Sequence, residues 1–193
     1  MEYKYIGKSY IRPDAVGKLT GQAIYLDDVR LPGMLHAAIL RPEYAHAKIL
    51  SIDTSEAEKM PGVVKVVTGK GCPFHYGDNM KDLVPMAIDK VRYIGEPLAA
   101  VIAEDPFTAR AAMEKIKVEY EPLPVYTDAR DAMKEDAVLI HEENGEYWHL
   151  PTLKPMPGTN VANFYHLKKG KADAGFEDAE VVVEAEFDYP LGS

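Results

Sequence analysis

The apolar residues of this sequence come in short runs that proline and glycine repeatedly interrupt, which limits the folds that the chain can adopt. The 193 residues include 14 glycines and 14 prolines. The longest apolar stretch, residues 98–103, is far shorter than the about 20 apolar residues that a membrane-spanning helix needs. Hydrophobic residues still make up 47% of the chain. Short elements and a normal apolar fraction together predict a globular domain.

Apolar runs rich in β-branched residues predict several short strands. The clearest of them are residues 34–40, 47–53 and 63–67. Gly95-Glu96-Pro97 interrupts a further apolar run, and we interpret 91–94 and 98–103 as one strand with a bulge or an exposed edge. Additional strands are predicted at residues 23–26, 118–120, 163–167 and 180–188.

The strongest helix signal covers residues 105–116. Asp105 can cap the helix, and Pro106 occupies the first turn, where its missing N–H costs nothing. The helical spacing predicts one apolar face made of Ala109, Ala112, Met113 and Ile116. Shorter helices are predicted after a cap at Thr54 or Ser55, and at residues 127–133 and 172–179.

Three segments predict irregular structure. Residues 1–22 are polar and contain glycine, so we expect a lead-in segment rather than a helix, and 68–90 and 141–160 are rich in loop-forming residues. Long loops inside a domain are usually functional or interfacial. Because strands and helices are interspersed without regular alternation, the sequence predicts an α+β (mixed α/β) domain with a mixed sheet and short helices.

Charge and cysteine content exclude several classes of function. The chain has 22 basic and 31 acidic residues and a net charge of −9, so it lacks the basic footprint of a nucleic-acid-binding protein. The single cysteine, Cys72, cannot form an internal disulfide or a four-cysteine cluster. The N-terminal residues lack the apolar core of a signal peptide. We expect a cytoplasmic protein that binds neither nucleic acid nor membrane.

Two segments resemble phosphate-binding loops but fail the full motif. Gly7-Lys8-Ser9 would need a glycine at position 2, which is Glu2. Gly17-Lys18-Leu19-Thr20 would need a glycine at position 12, which is Arg12. The Gly-x-Ser-x-Gly motif of serine hydrolases is also missing from the sequence. The sequence therefore predicts no nucleotide-binding loop and no nucleophile elbow.

The histidines are scattered, without the close pairs that place two metal ligands on one helix or hairpin. They are His36, His46, His75, His141, His149 and His166. We interpret His36, in an apolar strand, as a core histidine. His75 shares a loop with Cys72, Tyr76 and Asp78. This group could face a partner or a substrate path, although a plain surface loop is the simpler interpretation.

The remaining candidates are carboxylates and the thiol. Asp27-Asp28 and Glu142-Glu143 are typical of solvated turns, and nothing near them in the sequence would raise a carboxyl pKa. Cys72 lacks a local activating pattern. Glu96, at the predicted bulge, could hydrogen-bond across a domain boundary or lie at the surface. From the residues alone we predict no catalytic, cofactor-binding or metal-binding residue in this chain.

An ordered series of motifs along nearly the whole chain resembles the start of the large subunit of molybdenum hydroxylases, the xanthine dehydrogenase and aldehyde oxidase family. The motifs are Arg12-Pro13-Asp14-Ala15, Lys18-Leu19-Thr20-Gly21-Gln22-Ala23, Tyr25-Leu26-Asp27-Asp28, Leu31-Pro32-Gly33-Met34-Leu35-His36-Ala37, Arg41-Pro42-Glu43-Tyr44-Ala45-His46-Ala47-Lys48-Ile49, Pro61-Gly62-Val63, Val91-Arg92-Tyr93-Ile94-Gly95-Glu96-Pro97-Leu98-Ala99-Ala100-Val101, Val118-Glu119-Tyr120-Glu121-Pro122-Leu123-Pro124 and Gly170-Lys171-Ala172-Asp173-Ala174-Gly175-Phe176. Their order and spacing, rather than any single motif, carry the resemblance.

The resemblance implies an a/b hammerhead domain over residues 23–134. It also implies an N-terminal lead-in over 1–22, and an extended linker with the first elements of the molybdopterin-binding domain over 135–193. Because the match breaks off directly after a predicted strand, we expect either a fragment or a separately encoded subunit.

The resemblance further implies a non-catalytic part of an enzyme that hydroxylates an aldehyde or an aromatic heterocycle with oxygen from water. In that family, molybdopterin with molybdenum, iron–sulfur clusters and often FAD are bound by other domains or subunits, which are the expected partners. We expect the isolated chain to be inactive. One alternative is a hammerhead-fold binding or assembly module without a redox role. Another is a small independent enzyme that uses His75, Cys72 or Glu96.

Overall fold

The computed structural model describes residues 3–187, which contain two three-stranded sheets and short helices. The strands are β1 (His36–Leu40), β2 (Ala47–Asp53), β3 (Val63–Thr68), β4 (Lys90–Val91), β5 (Ala99–Ala103) and β6 (Lys117–Pro122). The helices are α1 (Ala15–Leu19), α2 (Ser55–Glu58), α3 (Pro106–Met113), α4 (Ala129–Ala132) and α5 (Ala172–Glu177). The predicted α+β class is confirmed.

Successive strands alternate between the two sheets. The first sheet has the order β1-β5-β3 and the second the order β4-β2-β6, and the described strand pairs are antiparallel. In the first sheet His36 lies opposite Ala103, and in the second Ala47 lies opposite Pro122. Because strands adjacent in sequence enter different sheets, every described strand pair joins distant parts of the chain.

Helix α3 covers the first sheet, as its sequence signals predict. The Asp105 carboxylate accepts hydrogen bonds from the backbone N–H groups of Phe107 and Thr108, at 2.9 and 3.0 Å. It thereby satisfies two donors that a helix start leaves free. The predicted apolar face is buried through Ala109 and Ala112, and Ala112 packs in one cluster with Val101 of β5. The helix itself ends at Met113, three residues before the predicted end.

The prediction of one interrupted strand over 91–94 and 98–103 is wrong. β4 ends at Val91 in the second sheet, whereas β5 begins at Ala99 in the first. The chain turns between them at Gly95, whose φ of +81° lies in the left-handed region that glycine adopts without steric strain. The Gly and Pro of this segment therefore mark a crossing between sheets rather than a bulge within one strand.

The predicted strands nearest the ends are not formed within residues 3–187. Residues 23–26 lead into a 3-10 turn at Leu26–Asp28, and 163–167 and 181–187 are irregular. Residue 188 lies outside the described residues. A strand exists only when a neighbouring strand pairs with it, and these segments have no partner strand among the described residues. The lead-in also differs from prediction, because it contains α1, with an ion pair of 2.7 Å between Asp14 and Lys18.

Helix α2 forms where it was predicted, but its first turn is satisfied by a different residue. The Asp53 carboxylate accepts a hydrogen bond from the backbone N–H of Ser55 at 3.0 Å. The Thr54 hydroxyl instead donates to Glu58 at 2.7 Å. Asp53 is also the last residue of β2, so the end of the strand and the start of the helix share one side chain.

Within residues 3–187, no helix combines the length and the hydrophobicity needed to cross a lipid bilayer.

Candidate functional site

A cavity of about 250 Å³ opens between the loop at 75–84, the segment 88–96 and the segment 141–147. We call it the polar cavity, because charged and aromatic side chains dominate its lining. The lining side chains are His75, Asp82, Leu83, Val84, Ile88, Asp89, Arg92, Tyr93, Glu96, His141, Glu143 and Tyr147. Two of the loops that were predicted from composition, 68–90 and 141–160, therefore supply most of this wall.

Glu96 is one of the most buried charged residues that the structure describes, with 3% of its surface exposed. Its carboxylate accepts a hydrogen bond from the backbone N–H of Arg92 at 2.6 Å. Burial raises the pKa of Glu96 above its ordinary value, because a charged carboxylate loses its hydration there. Glu96 is thus not a surface residue; it closes a local turn and lines the polar cavity.

His141, Tyr147 and Glu143 form a hydrogen-bonded chain along one wall. The Tyr147 hydroxyl donates to Glu143 at 2.8 Å, and His141 Nδ1 lies 3.1 Å from the same hydroxyl oxygen. Since the hydroxyl hydrogen is committed to Glu143, His141 Nδ1 must be the donor in this contact. Burial, helped by the charge of Arg92, lowers the pKa of His141, and burial raises the pKa of Tyr147. The wall therefore favours a neutral imidazole beside a protonated phenol.

A buried lysine lies next to the cavity. Lys90, at 3% exposure, donates to the backbone carbonyl of Leu139 at 2.7 Å and to Glu142 at 2.6 Å. Burial is the largest single influence on Glu142 and by itself would raise its pKa. The hydrogen bond from Lys90, a backbone hydrogen bond and the charges of Lys90 and Arg92 together outweigh it, so the pKa lies below its ordinary value. The acidic pair Glu142-Glu143 is consequently split, because one carboxylate neutralises Lys90 and the other holds Tyr147.

The structure separates the predicted group around His75. The His75 ring lies 5.5 Å from the Tyr147 ring and lines the polar cavity together with Glu96. The thiol of Cys72 instead contacts the backbone carbonyl of Thr68 at 3.5 Å. Tyr76 pairs with Leu83 in an isolated β-bridge. Of the four loop residues grouped by sequence, His75 is the one placed at the cavity.

The other histidines are distributed over the fold. His36 is half-buried on β1, His149 is half-buried near the bridge to Met80, and His166 is exposed. His46 is the buried one, at 4% exposure, and its Nδ1 lies 2.6 Å from the backbone carbonyl of Pro124. The core position that was expected for His36 thus belongs to His46.

A second cavity, of about 220 Å³, also has Arg92 in its lining. We call it the His46 cavity; it is lined by Ala45, His46, Arg92, Tyr93, Ile94, Val125, Tyr126 and Ile140. Arg92 and Tyr93 belong to the walls of both cavities. The short segment that follows β4 therefore contributes to the lining of two cavities.

Several contacts of these sites join residues that are far apart in the sequence, which explains why spacing did not reveal them. Lys90 and Glu142 are separated by 52 residues, and His46 and Pro124 by 78. The sequence did contain a weak signal for this site. Gly95-Glu96-Pro97 interrupts an apolar run, Glu96 belongs to that interruption, and Arg92 lies shortly before it. Chemically, the polar cavity can bind a polar group. Within residues 3–187, however, no three His, Cys, Asp or Glu side chains are grouped to hold a metal ion.

The sequence of this chain is similar to that of known proteins. Residues 20–124 match the family described as aldehyde oxidase and xanthine dehydrogenase, a/b hammerhead domain. A probable xanthine dehydrogenase of Bacillus subtilis is 36% identical over 184 residues, which are 94% of this chain and 23% of that protein. The carbon monoxide dehydrogenase large chain of Afipia carboxidovorans is 37% identical, over 88% of this chain and 22% of that protein.

The fold agrees with the sequence match. The aldehyde oxidoreductase from Desulfovibrio desulfuricans superposes with a TM-score of 0.69 at 36% identity, over 90% of this chain and 19% of that chain. The chain thus spans less than a quarter of the length of these relatives. Because the family match covers more than half of the chain and an aldehyde oxidoreductase of known structure shares its fold, the chain belongs to the aldehyde oxidase and xanthine dehydrogenase family, of which it contains the a/b hammerhead domain.

Proposed function

We propose that this chain is the N-terminal, non-catalytic part of the molybdenum-binding subunit of a molybdenum hydroxylase. The observation that carries the proposal is the match of 94% of the chain to 23% of a relative about four times as long. In the proposed reaction a C–H bond of an aldehyde or an aromatic heterocycle becomes C–OH with oxygen from water. Two protons and two electrons are released, and the electrons go to an acceptor outside this chain.

The side chains of this chain do not fit the metal cofactors of such an enzyme. The single cysteine cannot ligate an iron–sulfur cluster, which needs four thiolates or comparable ligands. The described residues 3–187 also lack a cluster of three metal-ligating side chains. We therefore propose that molybdopterin and the iron–sulfur clusters are held by other polypeptide, with FAD on a further subunit or domain. No residue of this chain is assigned a catalytic role.

The division of the chain belongs to the same proposal. The family match over 20–124 supports a hammerhead domain over about residues 23–134. Residues 135–187 carry most of their apolar side chains at the surface, among them Phe164, Leu167, Val183 and Phe187, each more than half exposed. Exposed apolar surface of this extent marks interaction sites. We propose that it packs against the remainder of the molybdenum-binding subunit.

The test is assembly followed by assay. The 193-residue chain is co-expressed with polypeptide that carries the remainder of a molybdenum-binding subunit and with iron–sulfur and FAD subunits, and is purified through a tag on this chain. We expect a complex that contains molybdenum and reduces a dye when given an aldehyde or a heterocycle. The chain purified alone should contain no molybdenum and be inactive.

Two results would contradict the proposal. Molybdopterin retained by the isolated chain, with turnover of an aldehyde, would make it an enzyme in its own right. Failure to join any molybdenum-binding polypeptide, together with stable capture of a partner that carries no redox centre, would instead favour the hammerhead-fold binding module.

A further inference from the structure

Residues 3–34, which precede β1, form no described hydrogen bond with the rest of the structure. We call this segment the N-terminal arm. Every hydrogen bond, ion pair and aromatic ring contact that the structure describes for the arm joins two of its own residues, with none to residues 35–187. The two sheets therefore hold the arm by no polar contact.

The arm carries many apolar side chains, although it contributes nothing to the described core. None of its residues is buried, and twelve of its large apolar side chains are exposed. Ile11, Leu19 and Leu26 are the most exposed of them, at 85%, 87% and 87%. Polar tails are stable in water, whereas an accumulation of exposed apolar side chains marks a site of interaction. The composition of the arm thus indicates a partner surface that covers it.

Short-range hydrogen bonds give the arm a local shape. It contains helix α1 and the 3-10 turn at Leu26–Asp28, where the backbone N–H of Tyr25 donates to the Asp28 carboxylate at 3.0 Å. It ends in a turn in which the N–H of Met34 donates to the carbonyl of Leu31 at 3.1 Å. Gly33 has a φ of +71°, which suits the Pro-Gly pair of such a turn. The arm can therefore present its apolar side chains from short ordered turns.

We propose that the N-terminal arm packs against an apolar surface of the remainder of the molybdenum-binding subunit. Its apolar side chains are then covered in the assembled protein and not in the isolated chain. This inference rests on the proposed function. It adds to that function a docking element that is separate from the exposed apolar residues of 135–187.

The remainder of the subunit is the occupant to which the observations point. The superposition with the aldehyde oxidoreductase from Desulfovibrio desulfuricans covers 90% of this chain, and the uncovered tenth is shorter than the arm. At least part of the arm therefore has a counterpart in that enzyme, of which this chain matches only 19%. Such a protein contains a large amount of polypeptide that this chain lacks and that can cover the arm. The chain's own sheets and a second copy of the chain are the competing occupants.

The first experiment measures hydrogen exchange of the backbone amides of the arm. It compares the 193-residue chain alone, at low and high concentration, with its complex with polypeptide carrying the remainder of the molybdenum-binding subunit. In the chain alone, we expect exchange within about ten-fold of the rate of an unfolded peptide at both concentrations, because short helices without tertiary contacts fray. In the complex, exchange of the arm should slow by about a further ten-fold or more.

Protection of the arm without the partner would contradict the inference. Strong protection in the dilute isolated chain would show that the arm packs on its own sheets. Protection that increases with the concentration of the isolated chain would show that a second copy covers it.

The second experiment places a charge in the arm and uses a matched control. Leu31→Asp and Leu50→Asp change the same residue at similar exposure, 64% and 60%, but Leu31 lies in the arm and Leu50 on β2. The dissociation constant of each variant from the remainder of the subunit is measured. We expect Leu31→Asp to weaken association by about 10–100-fold and Leu50→Asp by less than about 3-fold.

The melting temperature of the isolated variant separates docking from a role in the fold of this chain. Since the sheets hold the arm by no polar contact, Leu31→Asp should change the melting temperature of the isolated chain by about 1 °C or less. A clear decrease would mean that Leu31 packs on the chain's own sheets, and the inference would then be wrong.

The outcomes also separate this inference from the proposed function. If the unaltered chain does not associate with the remainder of the subunit, the proposed function fails. If it associates, but the arm exchanges as fast in the complex as in the isolated chain, the proposed function stands and the inference is overturned. The same conclusion follows if Leu31→Asp weakens association no more than Leu50→Asp.

Discussion

Strand β5 and the segment just before it both contain buried side chains, but these side chains are of opposite kinds. Residues Ala99–Ala103 are all apolar, and alternate side chains are fully buried against the cluster that includes α3. The preceding segment, 90–97, buries Lys90 and Glu96 almost completely and Arg92 largely. The two segments are consecutive in the chain, yet burial of their side chains has different effects on the free energy of folding.

The difference shows that buried apolar and buried charged side chains contribute to the stability of this domain in different ways. Buried apolar groups stabilise the fold at any pH, because their contribution depends on area removed from water. Buried charged groups cost free energy unless each one finds a partner, and they make stability depend on pH. In 90–97 some partners are present, such as Glu142 for Lys90, and others are missing, as for Arg92 Nε within the described residues.

The largest effect is expected from a cavity in β5. Val101→Ala removes two buried methyl groups from a side chain with 0% exposure. It should lower the free energy of unfolding by about 2–3 kcal/mol, from lost burial and an unfilled cavity. Val64→Ala, at 55% exposure, should cost about 0.5 kcal/mol or less. Urea denaturation measures both, and equal losses would show that β5 is not the centre of the core.

The cap of α3 is expected to have the next largest effect. Asp105→Ala removes the acceptor for two backbone N–H groups, whereas Asp14 precedes α1 without a side-chain cap bond. We expect Asp105→Ala to lower the melting temperature by about 4 °C and Asp14→Ala by about 1 °C or less. Calorimetry gives the comparison, and equal shifts would mean that the cap of α3 contributes nothing specific.

Loss of the partner of Lys90 should have a smaller effect that depends on pH. Because the pKa of Glu142 is lowered from 4.5 in the fold, its contribution is present above that pH and is lost as pH falls through the folded pKa. Glu142→Gln should cost about 1 kcal/mol or less at pH 7, since this carboxylate is largely exposed. Denaturation between pH 3 and 7 measures the difference in the free energy of unfolding between the variant and the unaltered chain. This difference should shrink as the pH falls, and a constant difference would contradict the prediction.

The smallest effect is expected at Glu96, with the opposite dependence on pH. Its pKa is raised from 4.5 by burial, so its contribution is fully present below that pH and is lost as pH rises through the folded pKa. Glu96→Gln can still accept the hydrogen bond from Arg92 and does not ionise. In denaturation experiments the free energy of unfolding of the variant should equal that of the unaltered chain near pH 4. As the pH rises, the variant should become the more stable of the two. A difference that does not change with pH would mean that Glu96 is solvated.

The fold was predictable where local signals suffice. The segments that became β2, β3 and α3 were identified from β-branched runs, helical spacing and the Asp105-Pro106 start, because these signals act within a few residues. The site was less predictable. His75 and Glu96 were among the candidates, but Lys90, Arg92 and Tyr147 were not, since the polar cavity forms where loops about 50 residues apart meet.

By itself, the sequence determined the α+β class, most of the short elements, the lack of sequence-local motifs for metal or nucleotide binding, and the family. The tertiary structure alone decided that successive strands alternate between two sheets, that Gly95 marks the crossing between them, and that Lys90, Glu96 and His46 are buried. The physical reason is the distance along the chain over which each interaction acts. Helix caps and strand propensity are properties of neighbouring residues, whereas strand pairing, burial of charge and cavities depend on which distant segments meet.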